Sequence, residues 1–331
     1  MWGGVLPLFI ALTVAPRRVV VRTSRIDDTS AYTAADNTIL QAPGTRVFVA
    51  YGQSNADCCG TPGYTVKHPT KVLQFYVGNL YQMKEPMLGA YCEGGCMWSR
   101  AGDMLVDNDA KQGIDTTVVV ALAAYPGQLI KNLLPATAIG SYFASTLAQL
   151  PTTATVLFQH GESDALYNTH WQTYMNMLQL IITTANRPFL VGVGTRCGSA
   201  TNPGDFNPHI RNVQLSFQNG PDLDDLVGAY RRDGCHFSTL GLGEAAARWV
   251  AAIPATATPA STRTASTPAS TVAISTDAPP LATVPPAVSN KAIAIIVGSV
   301  LLCVLCAAVI VYWPTTIPPR STAAPTSALF L

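Results

Sequence analysis

The sequence predicts an α/β fold, a three-layer αβα sandwich around a five-stranded parallel sheet, and three observations lead there. Apolar, β-branched runs bounded by turn residues recur along the chain, stretches of helical length separate them, and strands alternating with helices form right-handed crossovers. The product of such crossovers is a parallel sheet covered on both faces. In chain order the strands are expected at 45–51, 117–124, 155–159, 188–194 and 226–230. Helices are expected within 129–150, 170–185 and 208–218, with 240–252 closing the domain.

Composition restricts the rest. The 331 residues are 48% hydrophobic and 12% charged, with a formal net charge of +1. A charge this small gives no footprint for nucleic acid, and the apolar content is too high for a disordered chain. The globular domain is expected over 27–253. Ahead of it, 1–26 is read as a signal-like hydrophobic leader and lead-in, with Ala15 at the cleavage position before Arg17 and Arg18. Behind it, 254–290 is so rich in Ala, Pro, Ser and Thr that it buries no core, and is read as an extended stalk.

Residues 291–313 are then expected to be a transmembrane helix. The stretch 292–313 carries no charge and is about 33 Å long as a helix, enough to cross a bilayer core. A short tail, 314–331, follows. The expectation is a single-pass membrane protein with its domain on the extracellular or lumenal side, although Lys291 and Arg320, one on each flank, do not fix the orientation. Nothing in the sequence indicates an oligomeric state.

Ligands of parallel sheets bind beyond the carboxyl ends of the strands. The polar, reactive side chains cluster at those junctions: GQSNADCCG at 52–60, QHGESD at 159–164, TRCG at 195–198 and RRDGCHFS at 231–238. Ser54 stands in a tight turn at the end of the first strand. Asp233 and His236 are three apart, so the carboxylate can accept from one imidazole nitrogen and leave the other for Ser54. Taken singly, a turn serine, a turn aspartate and a capping histidine are ordinary; three together at strand ends are a catalytic constellation.

These blocks resemble a known family. GQSN with Ser54, GGCMWSRAGDML around Gly94 and Gly95, HGESD from His160 to Asp164, and DGCHFS with Asp233 and His236 are similar in content and order to the SGNH (GDSL-like) hydrolases. Within them the blocks look like the sialate O-acetylesterase and acetyl xylan esterase branch, over about 45–253. The resemblance implies a flavodoxin-like sheet, Ser54 as nucleophile, His236 as general base and acid, and Asp233 as the carboxylate that orients it. It implies an oxyanion hole made by the backbone N–H groups of Ser54 and Gly95 and a side-chain donor. In the family a glutamine next to the glycine gives that donor; this chain reads Gln159-His160-Gly161, so His160 takes the position, or Gln159 reaches it by a local shift. After the second strand a Gly-Gly turn of many relatives is replaced by Tyr125-Pro126-Gly127-Gln128, where proline stiffens the turn and removes an N–H.

Gln53, Asn55, Gln159, Glu162 and Arg196 are the supporting or substrate-binding candidates. Glu162 is expected to accept hydrogen bonds from the GQSN turn, against a solvent-facing alternative. Arg196 is expected to contact a sugar hydroxyl or acid, against a surface ion pair. Of eight cysteines, Cys303 and Cys306 fall in the expected membrane span. A Cys197–Cys235 disulfide would pin the histidine loop, and Cys92 or Cys96 would bridge to Cys58 or Cys59 and brace the oxyanion glycines. The competing reading is buried, unpaired thiols. Cys92 and Cys96 lack the second ligand pair of a zinc site, so no metal is expected, and the triad chemistry calls for no organic cofactor.

The resemblance thus implies a serine esterase that removes O-acetyl groups from a glycan, and the apolar span 291–313 is read as its membrane tether. The alternative is a carbohydrate-binding or adhesion protein on the same fold with impaired turnover. A lipid esterase fits less well, since no lid helix is evident and aromatic residues make up only 8% of the chain.

Overall fold

A computed structural model describes residues 19–255, apart from 200–203, 205 and 218. Seven strands, β1 (Ala34–Ala35), β2 (Thr45–Gly52), β3 (Val72–Tyr76), β4 (Asn79–Gln82), β5 (Thr117–Leu122), β6 (Thr155–His160) and β7 (Phe189–Val193), form one sheet in the order β1-β4-β3-β5-β2-β6-β7. From β3 to β7 every pairing is parallel, while β4 and β1 extend the sheet antiparallel at one edge. The helices are α1 (Met97–Lys111), α2 (Ala138–Ala148), α3 (Glu162–Leu166), α4 (Trp171–Ala185), α5 (Pro208–Leu215) and α6 (Thr239–Ala252).

The period-two alternation of β2 explains the three layers. Phe48 and Ala50 point to one face, where α1 and α6 supply Trp98, Leu105, Leu242 and Trp249. Trp98 and Trp249 meet there with ring centroids 5.4 Å apart. Val47, Val49 and Tyr51 point to the other face, packed by Phe143 of α2, Leu178 of α4 and Ile210 of α5. Tyr51 stacks on Phe143 at 3.9 Å. Local signals set the helix ends: Ser238 caps α6 by accepting from the Gly241 N–H, Asn207 with Pro208 opens α5, and Asn186 in the left-handed region ends α4.

The sandwich and its five parallel strands are as the sequence implied, but one strand is a different segment. The expected strand at 226–230 is absent: Gly228, at φ 57, turns the chain into a 3-10 helix over Gly228–Tyr230. What remains beside β7 is a single bridge from Val193 to Asp222. The fifth parallel strand is β3, which continues into β4 through a two-residue turn with Val77 at φ 45 and Gly78 at φ 80. That is the double positive-φ geometry of a tight hairpin, usually written with Asn-Gly, and a β-branched residue in the first position hides it from the sequence. Numbered among themselves in chain order, the parallel strands therefore run 2-3-1-4-5 rather than in the flavodoxin-like order 2-1-3-4-5.

The domain also begins earlier than residue 27. Val21 bridges to Cys92, Ile26 is buried in the core, and Arg22 pairs with Glu93 at 2.8 Å. At the far end, Arg46 at the start of β2 donates to the Pro254 carbonyl at 2.6 Å. Residues 1–18 of the expected leader, the stalk beyond 255, the span 291–313 and the tail 314–331 lie outside the described residues. Among the described residues no helix is long and apolar enough to cross a membrane.

Candidate active site

Ser54 lies two residues beyond the end of β2. Gly52 makes the approach possible: its φ is +142, and a Cβ there would lie 1.9 Å from the Gln159 carbonyl oxygen of β6. Only glycine fits that contact. Backbone bonds then lock the turn: Gln53 N–H donates to Gln159 O, Asp57 N–H to Gln53 O and Cys59 N–H to Ser54 O. Gln53 Oε1 accepts from the Ser163 N–H at 3.3 Å. Ser54 and its neighbours Gln53 and Asn55 are all buried.

The second half of the site is the loop before α6. Asp233 Oδ2 accepts from His236 Nδ1 at 2.8 Å, and its Oδ1 accepts from the His236 N–H at 2.7 Å and the Cys235 N–H at 3.0 Å. Burial alone would raise the Asp233 carboxyl, but the hydrogen bond and charge of His236 and the two backbone N–H groups outweigh it and hold the group well below the ordinary carboxylate range. With Nδ1–H committed to a carboxylate, Nε2 is the nitrogen left to accept a proton.

Asn55 joins the two halves. Its Nδ2 donates to Glu162 Oε1 at 2.7 Å and to the Cys235 carbonyl at 3.3 Å. The residue after Ser54 is thereby bonded to the residue before His236. Glu162 is accordingly not solvent-facing; it is buried, and burial pushes its carboxyl above the ordinary value against the Asn55 hydrogen bond.

Three expectations change. Gly95 does not offer its N–H to an oxyanion, because that group donates to the Gly60 carbonyl at 2.9 Å in an antiparallel bridge. Among the described residues no acceptor is found for the backbone N–H groups of Ser54 and Gly94. His160 does not occupy a donor position. It is fully buried, and burial keeps the imidazole pKa below its ordinary value. Its Nε2 lies 3.0 Å from the Gln128 carbonyl, which can only accept, so Nε2 carries the proton and Nδ1, 3.3 Å from the Tyr174 hydroxyl, accepts. Gln159, on the opposite face of β6, turns its buried amide against Gly192 and Gly194, and no hydrogen-bond partner for it is found among the described residues. Arg196 is tied down within the fold: Nε donates to the Asp224 carbonyl at 2.8 Å, Nη1 donates to the Gly204 carbonyl, and the guanidinium packs on Phe206.

The six domain cysteines form Cys58–Cys96, Cys59–Cys92 and Cys197–Cys235. Two bridges staple the Ser54 loop to the Gly94–Gly95 segment and the third staples the histidine loop to the segment after β7. Among the described residues Asp57, Cys59 and Cys92 have the spacing of metal ligands, but their sulfurs are bonded to each other.

Sequence reasoning passed over two supports. Arg231, two residues before Asp233, is buried; it donates to the carbonyls of Cys235 at 2.5 Å, Leu226 at 2.7 Å and Leu223 at 3.0 Å, and stacks on Phe237. Burial lowers its pKa to about 10, opposed by nearby carboxylates led by Glu162. Asp57 accepts from the N–H groups of Tyr91 at 2.8 Å and Cys92 at 3.0 Å. Burial lifts its carboxyl well above the ordinary range. Neither role follows from spacing, since each depends on which loop lies across from it.

No protein-family model matches the chain, and no curated protein matches it. Solved structures similar to it include a protein from Arabidopsis thaliana, 14% identical over 64% of this chain and 98% of that one, with a TM-score of 0.48. A carbohydrate acetylesterase from Xanthomonas citri is 13% identical over 62% of this chain, with a TM-score of 0.42; the matched region spans 55% of that enzyme. NanS is 14% identical over 63% of this chain and 96% of its own, with a TM-score of 0.43.

Proposed function

We propose that the chain is a serine esterase of the SGNH type that removes O-acetyl groups from carbohydrate through a Ser54–His236–Asp233 triad. The observation that carries this reading is the Asn55 side chain, which bonds the nucleophile turn to the Cys235 carbonyl beside a histidine already oriented by Asp233. In this mechanism Ser54 Oγ attacks the acetyl carbonyl carbon as its proton passes to His236 Nε2. The tetrahedral oxyanion collapses, the sugar oxygen leaves with the proton from His236, and an acetyl-Ser54 ester remains. Water, deprotonated by His236, attacks that ester and releases acetate. Asp233 stays ionised throughout and stabilises the imidazolium. The Ser54 N–H, for which no acceptor is found among the described residues, would donate to the oxyanion. The glycan substrate comes from the resemblance of the sequence blocks.

Placement outside a membrane, tethered by 291–313, belongs to the same proposal and draws support from three disulfides, which suit an oxidising compartment. A second reading, a carbohydrate-binding protein without turnover, is favoured by one observation: the N–H of Gly95 and both ring nitrogens of His160 are engaged within the fold.

The deciding experiment measures acetate release from an aryl acetate and from acetylated oligosaccharides by the full chain and its Ser54→Ala variant. The expected result is turnover that falls by about 10⁴-fold or more in the variant. A folded parent with no turnover and a glycan affinity untouched by the substitution would establish the binding protein instead.

A further inference from the structure

Beside the nucleophile turn stands a stack that none of the catalytic roles uses. The Arg25 guanidinium lies 3.9 Å from the centroid of Tyr142 and 4.8 Å from that of Tyr91. Tyr91 in turn packs on Tyr125, with ring centroids 4.1 Å apart and planes tilted by 40°. Tyr142, Arg25, Tyr91 and Tyr125 thus form a chain of contacts four side chains long, all half-buried. Among the described residues no further ring or cation lies against Tyr125, the last of the four.

Backbone bonds place this end of the stack at the site. The Tyr125 N–H donates to the Gly52 carbonyl at 3.0 Å, two residues before Ser54. The Tyr91 N–H donates to Asp57, three residues after it. The loop that carries Tyr125 is held rigid: Pro126 fixes its own φ, His160 Nε2 donates to Gln128 O at 3.0 Å, and the Ile130 N–H donates to Asp164 Oδ2 at 2.8 Å. Arg25 is fixed from behind by the carbonyls of Gly89 at 2.6 Å and Ala124 at 3.3 Å. A half-exposed aromatic ring, braced by a cation and held by a stiff loop at the lip of a catalytic site, is a preorganised platform for a flat apolar surface. An acetyl group is too small to cover such a ring. The C–H face of a pyranose matches it in size.

We propose that Tyr125, braced by Tyr91, Arg25 and Tyr142, is a specificity-determining residue whose ring stacks on the sugar carrying the acetyl ester. The inference rests on the esterase reading for its substrate but is read out by binding, so the two can fail separately.

The probe is partially acetylated xylotriose, titrated into the full chain carrying Ser54→Ala so that no turnover intervenes. Replacing Tyr125 by leucine in that background is expected to weaken binding by about tenfold, the factor that corresponds to about 1.4 kcal/mol. Tyr125→Phe keeps the ring and is expected to restore affinity to within about twofold. Because leucine can disturb the stack itself, a second measurement uses the ring intact: proton spectra of the bound sugar should show upfield ring-current shifts of its C–H protons. Equal affinity of the leucine and parent chains, loss of affinity in the phenylalanine chain, absence of ring-current shifts, or no saturable binding would each overturn the proposal. Failure of the wild-type chain to release acetate, with Tyr125-dependent binding intact, would overturn the esterase reading and leave the platform standing.

Discussion

The two halves of the site are built on opposite principles. The Ser54 turn is buried and fixed by the backbone: a glycine at φ +142 against β6, three main-chain bonds and two disulfides leave Ser54 nowhere else to be. The histidine loop is half-exposed and fixed by side chains: the Asp233 carboxylate, the Arg231 fan and the Cys197–Cys235 bridge. In the proposed mechanism Ser54 must be invariant in position, and His236 must be invariant in tautomer while still reaching solvent to exchange protons. A rigid backbone serves the first need, and a charged partner on an accessible loop serves the second.

Breaking the side-chain half should cost the most. Asp233→Asn leaves the loop's shape nearly intact but allows His236 the wrong tautomer, and esterase turnover is expected to fall by about 10⁴-fold in a chain that still folds. Its pH dependence has a definite sign. A carboxyl depressed in the fold contributes stability above its unfolded value, about 3.9, and loses it only as pH falls through the still lower folded value. The wild-type advantage over Asp233→Asn in thermal melts should therefore persist from neutral pH down to about 4 and shrink below it.

Breaking the backbone half should appear as instability before inactivity. Gly52→Ala drives a Cβ into the Gln159 carbonyl, so about 3 kcal/mol or more of folding free energy is expected to be lost in denaturant titrations. A smaller change sharpens the comparison at the junction. Glu162→Gln keeps an acceptor for Asn55 and removes a buried charge whose pKa is raised. A raised carboxyl costs stability as pH climbs past its unfolded value, about 4.3, so the variant should melt higher than the parent at pH 7 and equal it in acid. A variant that melts lower at neutral pH would show that Glu162 is ionised and needed as such.

Much of this was legible in the sequence because it lay in local chemistry. The runs that became β2, β5, β6 and β7 are apolar and β-branched, and the Asp233–His236 spacing encodes its own hydrogen bond. What was not legible depended on partners distant in the chain. The β3–β4 hairpin hides behind Val77 in a turn that normally takes asparagine, and α1 begins inside a glycine-rich block that resembles a loop. The side on which His160 falls was set by the period-two alternation of β6, which turns Gln159 and His160 to opposite faces of the sheet. Gly95 carried no sign that Gly60 would claim its N–H.

The bond from Arg46 to the Pro254 carbonyl has a geometric corollary. Arg46 is the second residue of β2 and Ser54 lies two residues beyond its last, so Pro254 is held at the end of the strand opposite the one that leads to Ser54.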